Sequence, residues 1–362
     1  MTADAASARL TVDLDALAAN HAALREQAAG AEVAPVVKAD GYGLGAVQVA
    51  RRLRGEGARS FFVARVAEGE ALRAALGSEP IIYVLDGVAP GAAARLTAAD
   101  LVPAISSVEQ LAEWAAHARG GPALPAALHI DTGMNRLGFP AEEFRTLRAL
   151  GRLEGVRVAL LMSHLACADE PRHALNARQQ ALFADLRAYF PDAPASLANS
   201  AGCFLGAGYA FDLVRPGISL YGGGPRGRTD PRIRQVATLE APVLQVRDVA
   251  PAETVGYGAT FTADRPLRAA ILAAGYADGI FRGGGSRASA WLHGARRRYL
   301  GRVSMDLIAI DVTDAPETRP GDLAQLLGPD VPVDEAAGWA GSLAYELLVR
   351  LAPRAERRYL GG

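Results

Sequence analysis

The chain has 362 residues, half of them apolar, with 38 basic residues against 39 acidic ones. That length exceeds one typical core, so two domains are expected. The charges nearly cancel and no run of like charge stands out, which argues against steering toward nucleic acid or an anionic membrane and leaves a small-molecule partner.

The N-terminal stretch MTADAASARLTVDLDALAANHAALREQ has neither a basic flank nor an apolar run of signal-peptide length. With no segment near the ~20 apolar residues of a membrane span, the expected compartment is the cytoplasm. From residue 33 to 220 one pattern recurs: a short β-branched apolar run, a polar residue where it stops, then an Ala/Leu/Arg-rich segment of helical spacing. The runs are VAPVVK (33–38), FFVAR (61–65), IIYVL (81–85), LVPAIS (101–106), AALHID (126–131), ALLMSH (159–164), ASLANS (195–200) and LVRPGISLYG (213–222). Eight such units suit a closed (β/α)8 barrel better than an open doubly wound sheet. Segments such as AVQVARRLRGEGA and SVEQLAEWAAHARG read as its outer amphipathic helices.

After Tyr221 the texture changes. GGGPRGRTDPR reads as a Gly/Pro-rich linker, and short alternating runs between turn signals follow, among them VATLEAPVLQVRDVAP and VSMDLIAIDVTD. A barrel over residues 1–228 and a mostly β domain over 229–362, with a last short helix around Ser342 to Leu351, is the expected division. The two cysteines, Cys167 and Cys203, have neither metal nor redox spacing, and the six histidines are scattered. Hard chemistry therefore requires an organic cofactor or plain acid/base groups.

In such a barrel, function gathers where the strands end at the C-terminal face. The polar residues there are Lys38, Arg65, Ser106, Asp131, His164, Asn199, Ser200 and Arg215. A lysine closing an apolar strand is more often snorkelling or ion-paired than catalytic. A buried amine is nonetheless what a Schiff base with an aldehyde cofactor needs. Barrels commonly hold a phosphate after strands seven and eight, using backbone N–H groups and a helix start. NSAG at 199–202 and RPGIS at 215–219 stand there, although singly each is an ordinary cap or turn.

The segment VVKADGYGLGA resembles the pyridoxal-phosphate attachment motif of the alanine racemase family. The resemblance continues in order through HIDTGMNRLG, MSHLACAD, NSAG, VRPGISLYG, VGYGATF, GYADG and GRVSMD, nearly the whole chain. It implies that Lys38 carries pyridoxal 5'-phosphate, with Tyr42, Ser200, Gly217 and Ile218 around the phosphate, and with Leu85 and Asn199 also in the cofactor site. His164 and Arg215 would line the pyridine ring, Arg215 facing its nitrogen. A guanidinium does not surrender its proton, so that nitrogen would stay unprotonated and be a poorer electron sink than one paired with a carboxylate.

The resemblance also implies a second base opposite Lys38, namely Tyr257 from the second domain of a partner subunit, which makes a homodimer part of the mechanism. A phenol is a weak base at neutral pH and needs positive charge beside it. Arg136 is the implied source, placed between the substrate carboxylate and that tyrosine. Met305, Asp306 and Tyr276 match substrate-pocket positions, and Asp169 and Arg282 match the access corridor. Room for a methyl group and little more is expected, although an added hydroxyl is poorly excluded, so serine is a slow alternative substrate.

Three positions depart from the family pattern. His129 stands where relatives usually carry a lysine, often carbamylated, seven residues before Arg136. Either the neutral ring accepts a hydrogen bond, an anion substitutes, or His129 is a core histidine without a role in activity. Ser304 replaces a common cysteine, and Pro353 falls near a phosphate- and gate-facing tyrosine of some relatives. The expected activity is alanine racemisation supplying D-alanine for peptidoglycan. Competing readings are a racemase of broader or shifted range, a non-catalytic pyridoxal-phosphate carrier, and a decarboxylase relative. A carrier would lack the second domain and Tyr257, and a decarboxylase would put an acidic partner where Arg215 stands.

Overall fold

The computed structural model describes residues 8–149, 153–351 and 354–362. The chain forms two compact units, one of residues 20–220, the other of residues up to Ala19 together with Tyr221–Gly362.

In the first unit eight short parallel strands form a ring. They are Glu32–Val33, Ser60–Val63, Ile81–Val84, Val102–Ile105, Leu124–Asp131, Val156–Met162, Ala195–Ser196 and Leu213–Val214. The second to seventh pair in order as one parallel sheet. The eighth pairs with the first, and the first bridges to the second through Val36 and Phe62. The last gap closes where Asp212 N donates to Ala195 O and Arg215 N to Ala198 O, at 3.0 and 2.9 Å. A ring has no edge strand to protect, and its strands are covered on both faces, which is why they read as unbroken apolar runs. Ser60–Val63 and Val102–Ile105 are buried at every residue.

The outer helices bury one face. Ala46–Gly55 buries Val49, Ala50 and Leu53, while Arg51 on the opposite side is exposed. Val108–His117 starts at Ser107, whose hydroxyl accepts from Gln110 N, and buries Leu111 and Trp114 one turn apart. Each helix returns the chain to the start of the next strand, so the strand ends that carry polar residues gather on one rim.

The second unit is mostly β. Its spine is the thirteen-residue strand Ala237–Val249, which pairs antiparallel with Leu267–Leu272, Leu323–Leu327 and, unexpectedly, Arg9–Asp13. Arg9–Asp13 also pairs parallel with Glu356–Leu360, so the start of the chain lies inside the C-terminal sheet. The expected division at residue 228 therefore differs from the observed one at residues 8–19 and 221–228. The cause is pairing over more than 200 positions, which local patterning does not carry. The last helix runs Ala344–Arg350, within the expected span. No helix among the described residues is long and apolar enough to cross a membrane.

Leu10 and Val12 are fully buried on the inner face of that first strand. Leu10→Ala is expected to destabilise the protein by about 2–5 kcal/mol. Thermal unfolding followed by limited proteolysis should show the C-terminal unit opening first; unchanged melting would contradict the placement.

Candidate active site

Lys38 follows the first barrel strand, where Val37 N donates to Phe62 O at 2.8 Å. After it, Ala39, Asp40, Gly41, Tyr42 and Gly43 have φ of 53, 54, 62, 56 and 82°, one turn of left-handed helix. Gly41 N donates to Val37 O and Gly43 N to Ala39 O, at 2.9 and 2.8 Å. Three of the five are not glycine, and a left-handed L-residue costs about 1–2 kcal/mol. The turn closes in about four residues, so Lys38 and Tyr42 come to the same side of it. Burial holds the Lys38 amine below its usual value, helped by Arg136 and opposed by Glu68 and Asp86.

Arg215, from the end of the eighth strand, is buried. It donates to the Ser196 hydroxyl, to Ser163 O and to His164 Nδ1, the last at 3.4 Å, neutral acceptors all, and its guanidinium lies 5.8 Å from the Phe62 ring centre. Burial lowers its pKa to about 10, which leaves it charged at neutrality. His164 is driven well below the ordinary histidine value by burial, then by Arg215, Arg136, His129 and Lys38. His129 is pushed to about 4 by burial, then by Arg215 and Arg136. Arg215 and Arg136 thus help to keep both rings neutral, and buried Arg215 leaves room for an anionic ligand.

Beside them the seventh and eighth strand ends form a backbone cradle. The Ser200 hydroxyl accepts from Gly217 N at 2.9 Å and Ser219 N at 3.3 Å. A Cβ on Gly217 would meet the Tyr42 hydroxyl at 2.1 Å, so only glycine lets the tyrosine oxygen this close to the chain. Ile218 is buried, and the buried Ser219 hydroxyl has no hydrogen-bond partner among the described residues. A phenol beside close-packed glycine backbone and an unsatisfied buried hydroxyl fit a phosphate. Asn199 Oδ1 accepts from Gly202 N at 2.9 Å, and Leu85 follows the third strand, with its N–H on Val63 O.

Arg136 is exposed on the loop after the fifth strand. The Asp131 carboxylate gathers the N–H groups of Gly133, Met134 and Asn135, at 2.8 to 3.2 Å, and so shapes that loop. Buried Gln179 ties its base to the sixth strand: its amide donates to Thr132 Oγ1 and His164 O and accepts from Ala166 N. Asp169 is exposed beyond the sixth strand.

The second unit carries the other expected residues. Tyr257 is 72% exposed in the turn Tyr257–Ala259, and Met305 and Tyr276 are exposed as well. Two loops are stitched together where Tyr276 N donates to Ser304 O and Ala277 N to Met305 O, both at 3.0 Å. Arg354 bridges Asp306 and Asp278. Arg282 is exposed, and Pro353 lies outside the described residues. No group of three potential metal ligands occurs among the described residues.

Two family models match the chain in succession, "Alanine racemase, N-terminal domain" over residues 12–225 and "Alanine racemase, C-terminal domain" over 236–359. The chain belongs to the alanine racemase family. An "Alanine racemase" of Methylobacterium sp. (strain 4-46) is 49% identical, with 98% of each chain covered. An "Alanine racemase, catabolic" of Mesorhizobium japonicum is 48% identical over 99% of this chain and 94% of its own. A solved alanine racemase from Bartonella henselae, described as having covalently bound pyridoxal phosphate, superposes with a TM-score of 0.93 at 34% identity, covering 98% of this chain and 100% of that one.

Within this alanine racemase fold, the structure groups Lys38, Arg136, His164 and Arg215 electrostatically, and Tyr42, Ser200, Gly217 and Ile218 sterically. Ser163, Ser196, Thr132, Gln179 and Glu68 support the site without belonging to the motifs that point to it. Only Glu68 carried a local signal, standing three residues after the polar end of the second strand, where a capping acid belongs. As a neutral ring, His129 supplies Arg136 with none of the charge of a carbamylated lysine.

Because the unfolded chain takes the His129 proton near pH 6.5 and the folded one only near 4, folding stability falls as pH drops through that window. One pKa unit is worth about 1.4 kcal/mol. His129→Gln is therefore expected to flatten the acid limb of a melting-temperature profile, measured from pH 7 to 4.5. A limb as steep as that of the parent would contradict a buried neutral ring.

Proposed function

We propose that this protein interconverts L- and D-alanine with pyridoxal 5'-phosphate. The observation that carries this is a lysine held below its usual basicity in a cluster where buried Arg215 meets only neutral acceptors among the described residues, beside a backbone cradle fit for phosphate. Lys38 would hold the cofactor, Ser200, Gly217, Ile218 and Tyr42 its phosphate, and His164 and Arg215 its ring. Bound, the cofactor supplies the electron sink that makes the substrate's Cα proton acidic. Arg215, remaining charged, would offer the ring nitrogen a donor and no proton, which would keep that sink weak and disfavour side reactions.

Racemisation needs proton exchange on both faces of Cα, and Lys38 reaches one. We infer a homodimer in which the partner subunit's Tyr257 serves the other, Lys38 taking the proton of D-alanine and the tyrosine that of L-alanine. The exposure of Tyr257, Tyr276, Met305 and Leu307 on the β unit supports a covering partner. Arg136 would bind the substrate carboxylate. Met305, Tyr276 and Asp306 would bound a methyl-sized pocket, and Asp169 and Arg282 its approach. A cytoplasmic enzyme supplying peptidoglycan with D-alanine completes the reading. Names among the relatives include both catabolic and biosynthetic, so that role rests on the phenotype of a deletion, in which a D-alanine requirement is expected.

Purified protein with pyridoxal phosphate and L-alanine in D2O should lose the Cα proton and yield D-alanine. Lys38→Ala should abolish both, and Tyr257→Phe should slow proton loss from L-alanine far more than from D-alanine. Bound cofactor without exchange, or serine turned over faster than alanine, would overturn the assignment.

A further inference from the structure

We propose that Glu68 is a positioning residue for the cofactor lysine, its carboxylate clamping the left-handed turn after Lys38 to the end of the neighbouring strand. The inference rests on the cofactor reading above.

Glu68 is the third residue of the helix Val66–Leu76. Its Oε2 accepts from Ala64 N at 2.8 Å and Arg65 N at 3.0 Å, the ordinary work of a capping acid. Its Oε1 does something a cap does not require: it accepts from Ala39 N at 2.7 Å, the peptide that joins Lys38 to the turn. One carboxylate thus ties the exit of the first barrel strand to that of the second, two bonds from the Cα of Lys38. A left-handed run containing Ala39, Asp40 and Tyr42 persists only where its surroundings over-determine it. On its far side Asp40 Oδ1 accepts from Ala46 N at 2.9 Å, starting the next helix. The turn is pinned at both ends, and Glu68 holds the end that sets Lys38 and Tyr42. Its charge also counters Arg136 at the lysine amine.

An amide does not replace this carboxylate. Glutamine has one carbonyl oxygen, so its NH2 end must face an N–H donor on one side or the other. Glycine at residue 39, by contrast, takes a φ near +53° with little cost and reduces the need for the clamp.

The test compares Glu68→Gln, Ala39→Gly and the double variant as purified holoenzymes. It reads the rate of pyridoxal-phosphate loss, from the fraction fixed to Lys38 by borohydride, and deuterium uptake of peptides 39–45 and 66–76. E68Q should lose cofactor roughly ten-fold faster, the size of one charge-assisted hydrogen bond. Its 39–45 segment should exchange faster while 66–76 stays protected, and A39G should restore much of both in the double variant. Exposure of 66–76 with 39–45 unchanged, or no rescue by A39G, would reduce Glu68 to a helix cap and overturn the proposal. If E68Q does not fold, Glu68→Asp, which keeps the charge and shortens the reach, is read against the same outcomes. Failure of the parent protein to fix cofactor at Lys38 would instead sink the cofactor reading, while exchange in the apoprotein still reports on the clamp.

Discussion

A buried guanidinium, Arg215, whose acceptors among the described residues are all neutral, is the constraint around which this molecule is arranged. Arg215 and Arg136 act on His129 and His164, which stay neutral, and the acceptors that Arg215 finds among the described residues are two serine-derived oxygens and an imidazole nitrogen. Burying a guanidinium without a counter-ion is costly. Such a cost is tolerated where a ligand brings the missing charge, and a phosphate-bearing cofactor with an amino-acid carboxylate brings it twice over.

The closed ring makes this arrangement possible. Residues that are 177 positions apart in the chain, Lys38 and Arg215, end adjacent strands because the eighth strand pairs with the first. The cradle from Ser200 to Ser219 sits beside the tyrosine of the first strand's turn for the same reason. The rigid strands then need only short anchored loops to fix the remaining groups. Asp131 shapes the Arg136 loop, Gln179 ties its base to His164, and the left-handed turn brings Lys38 and Tyr42 to one side.

Much of this was legible in the sequence, for identifiable reasons. Barrel strands are covered on both sides, so they appear as apolar runs, and each expected run overlaps an observed strand. The first strand of the β unit was not legible, since RLTVD alternates like any surface strand and its partners lie at 237–240 and 356–360. Gly41, Gly43 and Gly45 announce a turn after Lys38, but nothing local says that Ala39, Asp40 and Tyr42 share their handedness. The site residues came from resemblance to the family more than from spacing. The acceptors of Arg215 were invisible because a serine hydroxyl and a backbone carbonyl acquire that role only when the ring closes.

The most direct test of the charge account is the thermal unfolding of apoprotein titrated with pyridoxal phosphate and, separately, with pyridoxal, which has the same aldehyde and ring and no phosphate. Because a ligand stabilises in proportion to its preferential binding to the folded state, pyridoxal phosphate should raise the melting temperature at concentrations where pyridoxal barely moves it. Equal shifts from the two would mean that the pocket recognises the ring and aldehyde alone, and would contradict the view that its positive charge awaits an anion.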